Sequence, residues 1–108
     1  MKLAERHCIN GAKRLSEDHV TALATEIDPE WKTEMDSRIS RTLTFADFAG
    51  ALDFVNAVGR IAESENHHPD LQLSWGRVRV DHTTHDAGGL TENDFILAAK
   101  IDQLKGTD

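Results

Sequence analysis

With 108 residues, the chain has the length of one domain with a single modest core. Its 39% hydrophobic and 29% charged residues are ordinary for a water-soluble globular protein, and no apolar run approaches the roughly 20 residues of a membrane span. The formal charge of −7, with twelve Lys and Arg residues dispersed along the chain, argues against direct nucleic-acid binding and against an anionic membrane surface. A small neutral ligand or a protein partner remains open. Met1 to Arg6 lacks the apolar core of a secretory signal, and the single cysteine, Cys8, excludes an internal disulfide and fits a reducing compartment, so the expected location is cytoplasmic.

Residues 1–15 read as a flexible lead-in, with Asn10-Gly11 as a turn signal, and residues 16–108 as one domain. His7-Cys8 lacks the further ligands of a structural zinc site. A first helix is predicted from the N-cap Ser16, with Glu17 and Asp18 complementing the helix dipole. Val20, Leu23, Ala24 and Ile27 form its apolar stripe, and Asp28-Pro29 ends it. Two short strands follow, Trp31 to Met35 and Arg38 to Leu43, the second alternating Ile39, Arg41 and Leu43 with Ser40 and Thr42. They are expected to form a hairpin.

Thr44-Phe45-Ala46-Asp47 has the form of a capping box, with Thr44 as N-cap, opening a helix that runs to about Glu65. Phe48, Leu52, Val55 and Ala62 make one face, and Phe54, Val58 and Ile61 widen it. An apolar arc this broad predicts burial against another subunit. The helix ends on Asn66-His67-His68-Pro69, where the dipole favours cationic side chains and proline stops the helix. Leu71, Leu73 and Trp75 then alternate, Gly76 turns the chain, and Arg77 to Thr84 reads as a strand. Val78, Val80, His82 and Thr84 share its core side, and Arg77, Arg79, Asp81, Thr83 and His85 the other. After Ala87-Gly88-Gly89, a last helix is predicted, with Thr91 as N-cap, Asp94 at N3, Leu90 with Phe95 as hydrophobic staple, and Leu97, Ile101 and Leu104 as its stripe, ending before Gly106. The order α-β-β-α-β-β-α predicts an α+β fold with an antiparallel sheet.

Four of the six histidines, His67, His68, His82 and His85, fall within nineteen residues. Strand parity sends His82 and His85 to opposite faces, adjacent His67 and His68 diverge, and no cysteine or carboxylate completes a zinc spacing, so no metal is expected. His82 belongs with the core valines. His67 and His68 at a helix corner and His85 at a strand end are where a rigid scaffold presents side chains to a ligand, and histidine can give a proton to a departing hydroxyl and recover it. No Gly-x-Ser-x-Gly elbow is present, and Cys8 is remote in sequence.

Glu63-x-x-Asn66-His67-His68-Pro69, followed by Thr84-His85-Asp86-x-Gly88-Gly89-Leu90-Thr91-x-x-Asp94-Phe95, closely resembles the pterin-4a-carbinolamine dehydratases. The likeness spans about residues 16–104 and includes Trp31 and Phe45-x-x-Phe48. It implies a four-stranded antiparallel sheet with helices packed on one face, assembled as a homodimer or homotetramer. It also implies the dehydration of 4a-hydroxytetrahydropterin to quinonoid dihydropterin, in recycling of the cofactor of aromatic amino acid hydroxylases, with no metal or organic cofactor. By this resemblance His67, His68 and His85 are catalytic, with His67 and His85 as acids at the 4a-hydroxyl and His68 positioning the substrate. Asn66, Pro69, Thr83, Thr84 and Asp86 shape the pocket, and Glu63 and Asp94 orient histidines from behind. Two positions depart from the family pattern: Asn66 stands where many members have Asp, and Leu71 where others carry an aromatic. Relatives of this fold also serve as dimerisation cofactors of a transcription factor or resemble assembly factors for carbon-fixing enzymes, so a non-catalytic binding role is the alternative.

Overall fold

The computed structural model describes residues 2–35 and 37–105. Four strands form one antiparallel sheet in the order β1-β2-β4-β3, with β1 at Lys32–Glu34, β2 at Arg38–Thr44, β3 at Asp70–Ser74 and β4 at Arg77–His82. Three helices accompany it: α1 Glu17–Ala24, α2 Phe48–Glu65 and α3 Glu92–Lys105. The expected hairpin of β1 with β2 forms, β3 and β4 make a second, and the sheet is joined in the middle by β2 against β4. That central pairing sets Ile39 opposite His82, Arg41 opposite Val80 and Leu43 opposite Val78. Because side chains alternate along each strand, this register puts the core residues of both strands on one face. Ser40 and Asp81, also paired across the ladder, hydrogen-bond to each other on the opposite face. Burial opposes ionisation of Asp81, yet hydrogen bonds from Arg79 and Ser40 outweigh it and hold the carboxyl below the usual range.

Helix boundaries follow hydrogen-bonding groups more closely than hydrophobic runs. Ser16 caps α1 as predicted, its side chain accepting from His19 N. The helix stops at Ala24, however, with Ile27 buried in the turn that follows, before Asp28-Pro29 is reached. The cap of α2 is Asp47 and not Thr44: Asp47 Oδ1 accepts from Gly50 N at 2.8 Å. Thr44 is taken by the sheet, paired with Arg77, and Phe45 N continues the pairing to Gly76 O at 2.8 Å. A backbone already engaged in a ladder cannot also begin a helix. The same pairing leaves Trp75 in the β3–β4 turn, 69% exposed, where alternation with Leu71 and Leu73 had suggested a strand residue.

The core side of α2 is Ala51, Phe54, Val58 and Ala62, spaced at helical intervals. Phe48 and Leu52, assigned to the main face from the sequence, are exposed. Helix α3 departs furthest from its expected single stripe. Phe95, Ile96, Leu97, Ala98, Ala99 and Ile101 are all buried, so the helix is enclosed all round over its middle turns, while Gln103 near its end is exposed. Truncating the fully buried Phe95 to alanine is expected to cost about 3–5 kcal/mol through the cavity left behind.

The enclosure of α3 comes from residues expected to precede the domain. Leu3, in a short 3-10 turn, is buried against the core, and Lys100 Nζ donates to Ala4 O at 2.7 Å. Glu65 Oε1 accepts from Cys8 N at 2.7 Å, and Leu15 N donates to Leu90 O at 2.8 Å. Residues 2–15 thus run along the domain as a third layer of contacts.

Candidate functional site

The C-terminus of α2 and the N-terminus of α3 meet, and the candidate site is built at that junction. Asn66 closes α2 in the left-handed region, at φ 52° and ψ 41°. Asparagine is one of the few residues besides glycine that adopts this conformation readily, which gives Asn66 a local structural reason at the position where its relatives were expected to carry Asp. The reversal turns His67 back toward α3, with His67 N bonded to Ala62 O at 3.2 Å. His67 Nε2 then donates to Asp94 Oδ1 at 2.7 Å. The histidine side chain is 12% exposed and the aspartate side chain fully buried.

Asp94 carries two duties on separate oxygens. Oδ1 orients His67, while Oδ2 accepts from Thr91 N at 2.9 Å and from Thr84 Oγ1 at 2.8 Å. Because the only hydroxyl proton of Thr84 is used on Asp94, the 2.9 Å contact between Thr84 Oγ1 and Thr91 Oγ1 has Thr91 as donor. Asp94 is thus at once the helix-capping residue and the partner of His67. A buried carboxylate with three donors at a helix N-terminus is a fixed group. It leaves His67 Nδ1 as the ring nitrogen available to a ligand.

A cavity of about 470 Å³ adjoins this junction, within the usual range for small-molecule sites. His67, Asn66, Thr84, Asp86 and Ala87 line it from the α2 corner and the loop after β4. The remaining wall comes from residues 9–14 and Asn93, none of which the sequence marked as site residues. Their only sequence signal was the Asn10-Gly11 turn; what brings them here is pairing of the Ile9 backbone with the buried Asn93 amide, at 3.0 Å and 2.8 Å.

The other expected site residues lie outside that lining. Strand β4 ends at His82, and His85 stands in a 3-10 turn, His85–Ala87, exposed. His68 is exposed and bonded through Nε2 to Glu63 Oε2, so Glu63 does back a histidine, but at the surface. Pro69 is half-buried at the start of the β3 segment. Thr83 Oγ1 donates to Ser37 O at 2.6 Å, tying the β1–β2 turn to the sheet. His82 is fully buried with its ring 5.2 Å from that of Trp31, in keeping with its core assignment. Gly88, at φ 76°, supplies the left-handed residue that closes the turn carrying His85 and Asp86.

Cys8, remote in sequence, is near in space, but its thiol is pushed up to about 12 by burial and by the Glu65 carboxylate, leaving it unsuited to nucleophilic work. Glu65 itself resists burial through the Cys8 N–H, His7 and Lys100, which hold its carboxyl below the ordinary range. Among the described residues no three His, Cys, Asp or Glu side chains are grouped as a metal site requires. No described helix is long and apolar enough to cross a membrane.

Known proteins resemble this chain over most of its length. Residues 13–104 match the family described as Pterin 4 alpha carbinolamine dehydratase. A protein of Alkaliphilus metalliredigens, provisionally named a pterin-4-alpha-carbinolamine dehydratase, is 41% identical over 104 residues, covering 94% of each chain. One of Chloroflexus aggregans with the same provisional name is 47% identical over 93 residues, covering 86% of this chain and 98% of the relative. The crystal structure of a transcriptional coactivator/pterin dehydratase from Brucella melitensis superposes with a TM-score of 0.80 at 30% identity, covering 85% of this chain and 98% of the other.

Proposed function

The chain belongs to the pterin-4-alpha-carbinolamine dehydratase family, and from that premise we propose that it is a lyase that removes water from 4a-hydroxytetrahydropterin. The observation that carries this reading is the His67–Asp94 pair at the edge of the cavity, with Thr84 and Thr91 holding the carboxylate in place. Asp94 fixes Nε2 as the protonated nitrogen that faces it, and a second proton on Nδ1 then points to the ligand side. His67 gives that proton to the 4a-hydroxyl as the carbon–oxygen bond breaks. The neighbouring ring N–H releases its proton to solvent, a carbon–nitrogen double bond forms, water leaves, and His67 is reprotonated. A contribution of 10²- to 10⁴-fold is the usual range for such a positioned acid.

His85 is the second acid and His68 a substrate-positioning group in this proposal, both acting from the exposed rim, with Asn66, Pro69, Thr83, Thr84 and Asp86 shaping the binding site. The reaction recycles a pterin cofactor in the cytoplasm and uses neither metal nor organic cofactor. The active form is a homodimer or homotetramer, a reading supported by Phe48 and Leu52, which leave an apolar strip of α2 in solvent. Light scattering that gives a strict monomer at micromolar concentration removes the oligomer from the proposal. Stopped-flow dehydration of synthetic 4a-hydroxytetrahydropterin tests the activity: acceleration over buffer is expected, reduced in a His67→Ala/His85→Ala double variant. No acceleration, or full activity in that variant, overturns it.

A second reading has its own support in the name of the Brucella melitensis neighbour, a transcriptional coactivator as well as a pterin dehydratase. On this reading the exposed strip of α2 receives a protein partner. Stoichiometric capture of a partner together with no pterin turnover is the outcome that favours it.

A further inference from the structure

Residues 9–14 run along one side of the cavity as a span fastened at both ends. At the first end, Ile9 is held by both polar atoms of the Asn93 amide, and Cys8 N by Glu65. At the second, Leu15 N is bonded to Leu90 O. Between them Gly11, at φ 72°, makes the turn that lets the chain lie along the cavity. Lys13 and Arg14 therefore reach the cavity from a backbone that is fixed on either side of them. The Arg14 guanidinium is also located by Gly89: a Cβ there would fall 2.8 Å from Arg14 Nε, so the absence of a side chain makes room for it. In a chain of net charge −7, these two adjacent cations line the same cavity as His67, and neither has an ion pair or hydrogen bond among the described residues. Unpaired cations at a ligand cavity raise the local concentration of anions and supply charge-assisted hydrogen bonds to them.

Building on the dehydratase reading, we propose that residues 9–14 form the specificity wall of the pterin site and that Lys13 and Arg14 select pterins whose side chain carries an anionic group, a phosphate ester or a carboxylate. The flat ring lies toward His67 and Asp86, and the anionic end of the side chain lies against the wall. Neutral hydroxylated side chains are accepted less well because they leave both cations without a partner.

The test compares two 4a-hydroxytetrahydropterins that differ only in a phosphate on the side chain. In the native protein kcat/KM is expected to favour the phosphorylated substrate about tenfold at low salt, mainly through KM, with the preference shrinking as ionic strength rises. Lys13→Ala/Arg14→Ala brings the ratio near one, and Lys13→Glu/Arg14→Glu inverts it, a reversal that simple damage to the fold does not produce. A native ratio below twofold, or one unchanged in both variants, overturns the inference. If neither substrate is turned over, the dehydratase reading falls by itself. Calorimetric binding of the matched neutral and phosphorylated 7,8-dihydropterins then decides the charge selection by the same twofold criterion.

Discussion

His67 and His82 are both largely enclosed and both feel the charge of Asp94, yet they are prepared for opposite work. His67 has its Nε2 on Asp94 and lines a cavity. His82 has neither nitrogen hydrogen-bonded among the described residues and lies against Trp31 in the core. Burial, with the nearby His67 adding to it, pushes His82 down to about 4 against the opposing pull of Asp94 and Asp81. In the mechanism proposed above, a histidine serves as an acid–base group through its partner and its place at the cavity, whereas a buried one lacking both is a neutral aromatic packing residue.

The largest effect that sharpens this contrast is on turnover. His67→Ala is expected to lower kcat for 4a-hydroxytetrahydropterin dehydration by 10²- to 10⁴-fold, whereas His82→Leu changes it by less than about fivefold, measured by stopped flow on the same substrate. Equal losses in the two variants would erase the distinction.

His82 is next, and its signature is in stability. Its folded pKa of about 4 lies below the ordinary 6.5, so the neutral ring is what the fold accepts. Well above pH 6.5 neither state is protonated there and stability is complete. As pH falls from 6.5 toward 4, the unfolded chain takes up the proton first, and up to about 3 kcal/mol is lost. Urea unfolding at pH 7.5, 5.5 and 4.5 reads this slope, and His82→Leu should flatten it by removing the titrating group.

A smaller change separates the support of His67 from His67 itself. Thr84→Val removes one donor from Asp94 Oδ2 and the acceptor of the Thr91 hydroxyl, so a loss of about 1–3 kcal/mol in stability is expected from buried groups left unpaired. Turnover should fall in the same variant, by less than in His67→Ala, because the His67–Asp94 bond remains. The smallest effect belongs to the surface. Glu63→Gln, at the exposed partner of His68, should alter unfolding free energy by no more than about 0.5 kcal/mol, within what solvent-exposed ion pairs contribute.

Much of this was legible along the chain because its signals are local. Ser16 and the Asn66-His67-His68-Pro69 corner announce helix ends by their own chemistry, and alternation in Arg38–Thr44 and Arg77–His82 assigns His82 to the core with the valines. Local form failed where two elements competed for one backbone, as when the sheet took Thr44 and Asp47 became the cap. It failed again at α3, whose outer side is covered by Leu3 and its neighbours from the far end of the chain.

The sequence by itself determined the order of elements, the helix corner that bears His67, and the residue types able to move a proton, since each depends on neighbours a few positions away. Only the tertiary structure decided which histidine acquired a fully buried carboxylate, which was left bare in the core, and that residues 9–14 would wall the cavity. Those outcomes rest on contacts between residues 27 to 85 positions apart, as in His67 with Asp94 and Cys8 with Asn93, and no local pattern encodes such distances.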